Sequence, residues 1–255
     1  MTDLSHRVRL RCEGLSVDYR GRAVLDAVDV EIRANEVVGI VGPGGAGKSI
    51  LLKTLPRLIV PTRGRVILDG TDLATLPRVG LAAARESFGY LFQNYALFDF
   101  MTVLDNVAFP LRQGGQCDDA EAIRRAEARL VDVGLARAAP QFPRELSGGM
   151  KKRVALARAT VADPQIALYD DPSAGLDPVT SSRIFKLIRQ MHERIPDCAS
   201  VIVSHDIDRM RPVCDRFIAI VDGRVAFDGR EADLGRAPPT VRAIFEGGLV
   251  AGVAL

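Results

Sequence analysis

The sequence predicts an α/β fold, a mainly parallel sheet covered by helices on both faces and interrupted by a helical insertion. Three observations carry this. Short continuous apolar runs at 36–41, 166–169 and 201–203 have the character of strands buried on both sides. Helical patterns fall between such runs, the alternation that a parallel sheet requires. From about Thr102 to Ala162 the apolar spacing changes to that of amphipathic helices.

The elements follow in order. Val8-Arg9-Leu10-Arg11-Cys12 and Val28-Asp29-Val30-Glu31-Ile32 alternate with period two, as strands with one face in water do. The apolar run 36–41 feeds Gly42-Pro43-Gly44-Gly45-Ala46-Gly47-Lys48-Ser49. A helical stretch, Ile50-Leu51-Leu52-Lys53-Thr54-Leu55, follows and ends at Pro56. Val66-Ile67-Leu68 before Asp69-Gly70 reads as strand and turn. In the insertion, Ile123, Ala126, Leu130 and Val133 recur at helical spacing behind Asp118-Asp119. Ser147 precedes a second stretch with Val154, Leu156, Ala157 and Val161. The strand 166–169 ends in Asp170-Asp171. Asp177-Pro178 supplies a cap and first-turn proline for a helix bearing Ile184, Leu187, Ile188 and Met191. The strand 201–203 ends at Ser204-His205, and 217–227 reads as a hairpin turning at Asp222-Gly223 with a type I′ signal.

Composition bounds the function. A chain of 255 residues makes one to two compact units, and 47% hydrophobic with 26% charged residues excludes a disordered chain. Lys+Arg 34 against Asp+Glu 32 leaves +2, so no broad basic surface for nucleic acid is expected. No apolar run approaches the roughly 18 residues that span a bilayer, and no secretory signal is expected. Cys12, Cys117, Cys198 and Cys214 have no metal-type spacing and read as buried, reduced thiols.

Residues 42–49 fit G-x-x-x-x-G-K-S between a buried strand and a helix. The glycines let backbone amides face phosphates, Lys48 supplies a charge for the β and γ phosphates, and Ser49 holds Mg²⁺. A triphosphate site also needs a carboxylate at a neighbouring strand end, and Asp170 fits, with the metal reached through water. Leu146-Ser147-Gly148-Gly149-Met150 is a third constellation: Ser147 caps a helix whose start leaves amides open to an anion.

In this order the three elements resemble the nucleotide-binding subunit of ATP-binding-cassette transporters over nearly the whole chain. The resemblance implies a P-loop NTPase, RecA-like fold with an N-terminal antiparallel β-subdomain and an inserted α-helical subdomain. The whole chain, 1–255, is then one ATPase domain: core 1–93 and 163–235, helical subdomain 94–162, C-terminal tail 236–255. It also implies roles. Tyr19 stacks on adenine, Gln93 links the metal to the membrane partner, and Ser147, Gly148, Gly149 and Met150 meet the ATP of a second copy. Gly175, Leu176 and Asp177 form the dimer loop, and His205 is the switch histidine. Two copies pack head to tail across ATP, and closure drives an integral-membrane permease from the cytoplasmic face of a bacterial inner membrane.

Two positions depart from the family pattern. Asp171 stands where glutamate is usual as the base for the attacking water, with a side chain shorter by about 1.5 Å. Retained hydrolysis is the favoured reading, an ATP-gated clamp with weak turnover the alternative. Met150 replaces the usual glutamine. Tyr90-Leu91-Phe92-Gln93-Asn94-Tyr95-Ala96-Leu97-Phe98, the run 103–112, the signature with Lys151-Lys152-Arg153, and Val241-Arg242-Ala243-Ile244-Phe245-Glu246-Gly247 are similar to the Mla-type ATPases that serve MCE-domain lipid carriers. That similarity implies phospholipid cargo, handled by partners, and a periplasmic MCE-domain protein. Alternatives are another cargo, such as amino-acid or sulfonate uptake, or a soluble non-transport protein of the same superfamily. Tyr95, Leu97, Phe98, Phe100 and Met101 form a dense apolar group, most of it expected in the helical core and a minority in a groove for a permease helix. The end, 247–255, is apolar and too short to cross a membrane, and reads as a disordered end, with a tail packed on a second copy as the alternative.

Overall fold

The computed structural model describes residues 7–19, 21–115 and 117–247. Its strands are β1 (Val8–Tyr19), β2 (Arg22–Arg33), β3 (Val37–Val41), β4 (Arg63–Leu68), β5 (Thr71–Asp72), β6 (Phe88–Leu91), β7 (Ile166–Asp170), β8 (Ala199–Val203), β9 (Arg216–Val221) and β10 (Arg224–Gly229). Its helices are α1 (Lys48–Thr54), α2 (Arg78–Glu86), α3 (Val103–Gly114), α4 (Asp119–Asp132), α5 (Gly148–Thr160), α6 (Pro178–Arg194), α7 (Ile207–Met210) and α8 (Pro239–Phe245). One sheet is antiparallel, in the order β2-β1-β4-β5. The other has the order β10-β9-β3-β8-β7-β6 and is parallel except for β10 on β9.

Strand periodicity explains the layers. In β3, Val37 and Val41 join one core while Val38 and Ile40 join another. In β7, Ala167 and Tyr169 divide from Ile166 and Leu168 in the same way. The parallel sheet is therefore buried on both faces. On one side lie the antiparallel sheet and α1, and on the other α3 to α6. This arrangement has the layers expected from the sequence, an antiparallel β-subdomain beside a mainly parallel sheet with helices on its other face.

The helix starts follow local chemistry. Asp118, Ser147 and Asp177 accept hydrogen bonds from first-turn amides, as does Thr102 ahead of α3, each cap contributing about 1 kcal/mol. Asp222 and Gly223 both have positive φ, 49° and 74°, the geometry of a type I′ turn. α5 packs against α3, α4 and α6 and against β6 and β7. It approaches β6 so closely that a Cβ on Gly89 would lie 1.8 Å from the Ala159 carbonyl oxygen.

Residues 236–247, set apart as tail in the sequence, carry α8. Its Val241 and Phe245 are buried, and the Phe245 ring meets Phe217 edge-on at 5.1 Å. Residues 248–255 lie outside the described residues. Among the described residues, no helix is long and apolar enough to cross a membrane.

Candidate functional site

β3 lies in the middle of the parallel sheet, between β8 and β9, and its carboxyl end opens into residues 42–47. Crevices at strand carboxyl ends are where open α/β sheets bind ligands. Gly42 has φ 150°, and a Cβ there would fall 2.1 Å from the Ile220 carbonyl oxygen, so only glycine fits. Pro43 is half-buried, Gly44 and Gly45 are exposed and Ala46 is buried beneath them. Gly47, left-handed, starts α1 without a side-chain cap and presses on Val24 and Leu25 of β2. Tyr19 ends β1 where the chain turns into β2, paired with Arg22 and 62% exposed.

The Lys48 side chain is buried, and its Nζ donates to the carbonyl oxygens of Gly42 at 2.9 Å and Pro43 at 2.7 Å. Burial pushes its pKa below the usual lysine value, and the charges of Asp171 and Asp170 push it back. Ser49 donates to Asp170 Oδ1 at 2.7 Å, joining the end of β7 to the start of α1. Asp170 is 2% exposed; Tyr90 Oη stands 3.5 Å and Lys53 Nζ 3.9 Å from its Oδ2. Burial, and then Asp170, push the Tyr90 hydroxyl far above the usual tyrosine pKa. Among the described residues no group of three or more His, Cys, Asp or Glu could hold a metal. One serine hydroxyl beside one carboxylate suits Mg²⁺, which keeps waters and takes its other ligands from a phosphate chain.

Asp171 has φ 45°, its amide donates to the Val203 carbonyl at 2.8 Å, and its carboxylate accepts from Ser204 Oγ at 3.2 Å. His205 follows, exposed beyond β8, and Gln93 is exposed beyond β6. The strand order β8-β7-β6 thus brings the ends bearing His205, Asp170-Asp171 and Gln93 side by side.

Ser147, Gly148 and Gly149 lie elsewhere in the chain's own surroundings. Ser147 Oγ accepts from the Met150 amide at 3.3 Å. A Cβ on Gly148 would meet Tyr95 and Leu176, and one on Gly149 would meet Thr180. Gly175 is left-handed, the Leu176 amide donates to Ser173, and Asp177 holds the first turn of α6. The nearest neighbours of the glycine pair are thus Tyr95, Leu176 and Thr180, and none is in the loop 42–49.

Two cations had no signal in the sequence. Lys152, wholly buried, donates from Nζ to the carbonyls of Gln93 at 2.7 Å and Asp171 at 3.1 Å. Burial pulls its pKa down to about 8 against the pull of Asp171 and Asp170. Arg158 donates to the carbonyls of Tyr95 at 2.7 Å and Ala96 at 2.6 Å, both residues having positive φ. Beside this loop opens a cavity of about 530 Å³ lined by Arg85, Phe92, Phe98, Phe109, Pro110 and Arg158. Of the apolar group after Gln93, Tyr95 and Leu97 pack on the core. Phe98 lines the cavity, and Phe100 is 76% exposed.

Comparisons with known proteins agree on one family. A family model described as ABC transporter matches residues 25–174. The methionine import ATP-binding protein MetN of Carboxydothermus hydrogenoformans is 38% identical over 87% of this chain and 66% of its own length. A probable ribonucleotide transport ATP-binding protein, mkl, of Mycobacterium tuberculosis is 39% identical over 94% of this chain and 67% of its own. The chain thus spans about two thirds of the length of these relatives. Among solved structures, the dimeric cassette MJ0796 bound to ADP and Pi superposes with TM-score 0.79 at 32% identity, covering 87% of this chain and 98% of that one. The cassette cbiO1 of Clostridium perfringens superposes with TM-score 0.80 at 30% identity, covering 93% and 94%.

Proposed function

The chain belongs to the ABC transporter family as an ATPase that uses ATP and Mg²⁺, and on that premise we propose that two copies pack head to tail to drive an importer permease. The observation that carries this reading is the Ser49–Asp170 pair at 2.7 Å beneath the glycine loop. In the proposed site, amides of residues 44–48 take the phosphates while Lys48 leaves its two loop carbonyls for the β and γ oxygens. Ser49 and Asp170, with Gln93 beside them, would hold Mg²⁺, which when bound would supply positive charge against the phosphate chain. Asp171 accepts the proton of the attacking water, His205 contacts the transferring phosphoryl group, and Tyr19 stacks on the base. Ser147, Gly148, Gly149 and Met150 of the second copy close the site, with Gly175, Leu176 and Asp177 between the copies. These contacts exist only in the closed pair, so ATP shifts the equilibrium towards closure.

The proposed division keeps 94–162 as the arm that carries the glycine pair, with 1–93 and 163–235 as the nucleotide core. The cavity beside Phe98 receives a short permease helix, which holds the chain at the cytoplasmic face of the inner membrane. For cargo, the relatives described as methionine and ribonucleotide transport ATPases favour uptake of a small polar solute, an amino acid foremost. A second reading, phospholipid movement with an MCE-domain partner, rests on the segments 90–98, 103–112, 146–153 and 241–247.

Affinity purification of the chain from its native membrane, followed by ATPase assay of the complex, tests both. A permease with a solute-binding protein supports uptake, and a permease with an MCE-domain protein supports the lipid reading. A chain that binds no permease refutes both.

A further inference from the structure

α5 carries a charged group that these roles leave unused. Lys152 lies one turn beyond the glycine pair and is wholly buried. A buried ammonium is tolerated only when its N–H groups find partners. Here the carbonyls of Gln93 and Asp171 take hydrogen bonds, and the Tyr95 ring lies with its centroid 5.0 Å from Nζ. Neither carbonyl belongs to a helix or strand, since Gln93 follows β6 and Asp171 follows β7. One side chain therefore ties two loop segments to the helix that bears the glycine pair. A packing role alone would be filled by leucine or methionine, without the cost of burying a charge.

We propose that Lys152 is a positioning residue that passes movement of the α5 N-terminus to Gln93 and Asp171 of the same chain. From Ser147 to Lys152 the helix is about 7.5 Å long and rigid, so a shift at one end is felt at the other. The grip of residues 147–149 on the partner's nucleotide thereby sets how far Asp171 reaches towards the water in its own site. Misplacement of about 1 Å is enough to cost a hundredfold in rate. A short aspartate side chain leaves main-chain position as the means of correction. The inference rests on the head-to-tail reading.

The test compares Lys152→Met, which keeps the volume and removes the donors, with Lys152→Arg, which keeps donors on a long arm. For Lys152→Met, kcat of the full chain should fall at least tenfold while the ATP dissociation constant stays within threefold. Lys152→Arg should recover kcat to within threefold of the parent. Hydrogen–deuterium exchange of the nucleotide-free chain should quicken at residues 93–97 and 171–174 in Lys152→Met and stay unchanged at 42–49. A Lys152→Met kcat within twofold of the parent, or unaltered exchange at both segments, overturns the proposal. If that variant does not fold, Lys152→Gln, whose arm is shorter by one bond of about 1.5 Å and so cannot bring a donor within hydrogen-bond distance of both carbonyls, carries the same measurements with the same thresholds. A parent chain without ATP turnover or ATP-driven pairing refutes the head-to-tail reading. The exchange experiment then still decides whether Lys152 holds the two segments.

Discussion

Replacing Asp171 separates its chemistry from its geometry. Its φ of 45° is left-handed, a region that Asp and Asn enter several-fold more readily than longer side chains. Asp171→Asn therefore keeps the backbone and the Val203 hydrogen bond and removes only the basic oxygen. A general base contributes about 10²–10⁴-fold, or about 3–5 kcal/mol at 1.36 kcal/mol per decade, and turnover should fall by that factor. The carboxylate accepts a hydrogen bond from Ser204 Oγ at 3.2 Å. Pulling it away costs about 1.5 kcal/mol, the low end for a hydrogen bond to a charged group, or roughly tenfold in rate. Ser204→Ala should recover up to that factor. Asp171→Glu gains about 1.5 Å of reach against about 1–2 kcal/mol of left-handed strain, so its turnover should equal or exceed the parent's. The assay is steady-state phosphate release by the assembled complex, with ATP affinity measured in parallel. An Asn variant turning over within threefold of the parent, at equal ATP affinity, would refute the base role.

Phe100→Asp, at an exposed ring 5.8 Å from Phe98, should change stability by less than about 0.5 kcal/mol and release the permease with ATP binding intact; co-purification reads the outcome. Ser49→Ala removes the 2.7 Å bond to Asp170 and should raise the Mg²⁺ concentration for half-maximal hydrolysis about tenfold, roughly 1.4 kcal/mol of metal binding. His192, buried with Nδ1 3.1 Å from Ser200 Oγ, has its pKa lowered from 6.5, by burial first and then by Arg189. The unfolded chain takes up that proton first, so the contribution to stability is full above about pH 6.5 and lost as pH falls below it. Melting temperature should drop between pH 6.5 and 5, and His192→Gln should flatten the drop.

Much of the fold was legible because its determinants are local. The caps at Asp118, Ser147 and Asp177, the buried runs of β3, β7 and β8, and the positive-φ pair Asp222-Gly223 all announce themselves within a few residues. β1 and β2 run longer than their period-two segments because register shifts, as between Cys12 and Leu15, break the alternation without ending the pairing. α2 buries no residue and starts at Pro77 without a side-chain cap, so it left no periodic core signal. α8 is seven residues long with two buried, too few to set a pattern. At the site, the loop 42–49 and the strand end at Asp170 follow from sequence. The bond from Ser204 to Asp171 and the bridge from Lys152 do not, because both join segments distant in the chain. A lysine beside a second lysine and an arginine reads as a solvated face until the fold buries it.

The most direct measurement is the solution mass of the Asp171→Asn chain, with and without MgATP, beside the same chain carrying Gly149→Asp. ATP should convert the first from monomer to a two-copy species, while the second should bind ATP with similar affinity and stay monomeric. ATP bound at full stoichiometry with no change in mass, or pairing that persists with Asp at position 149, would contradict the shared site.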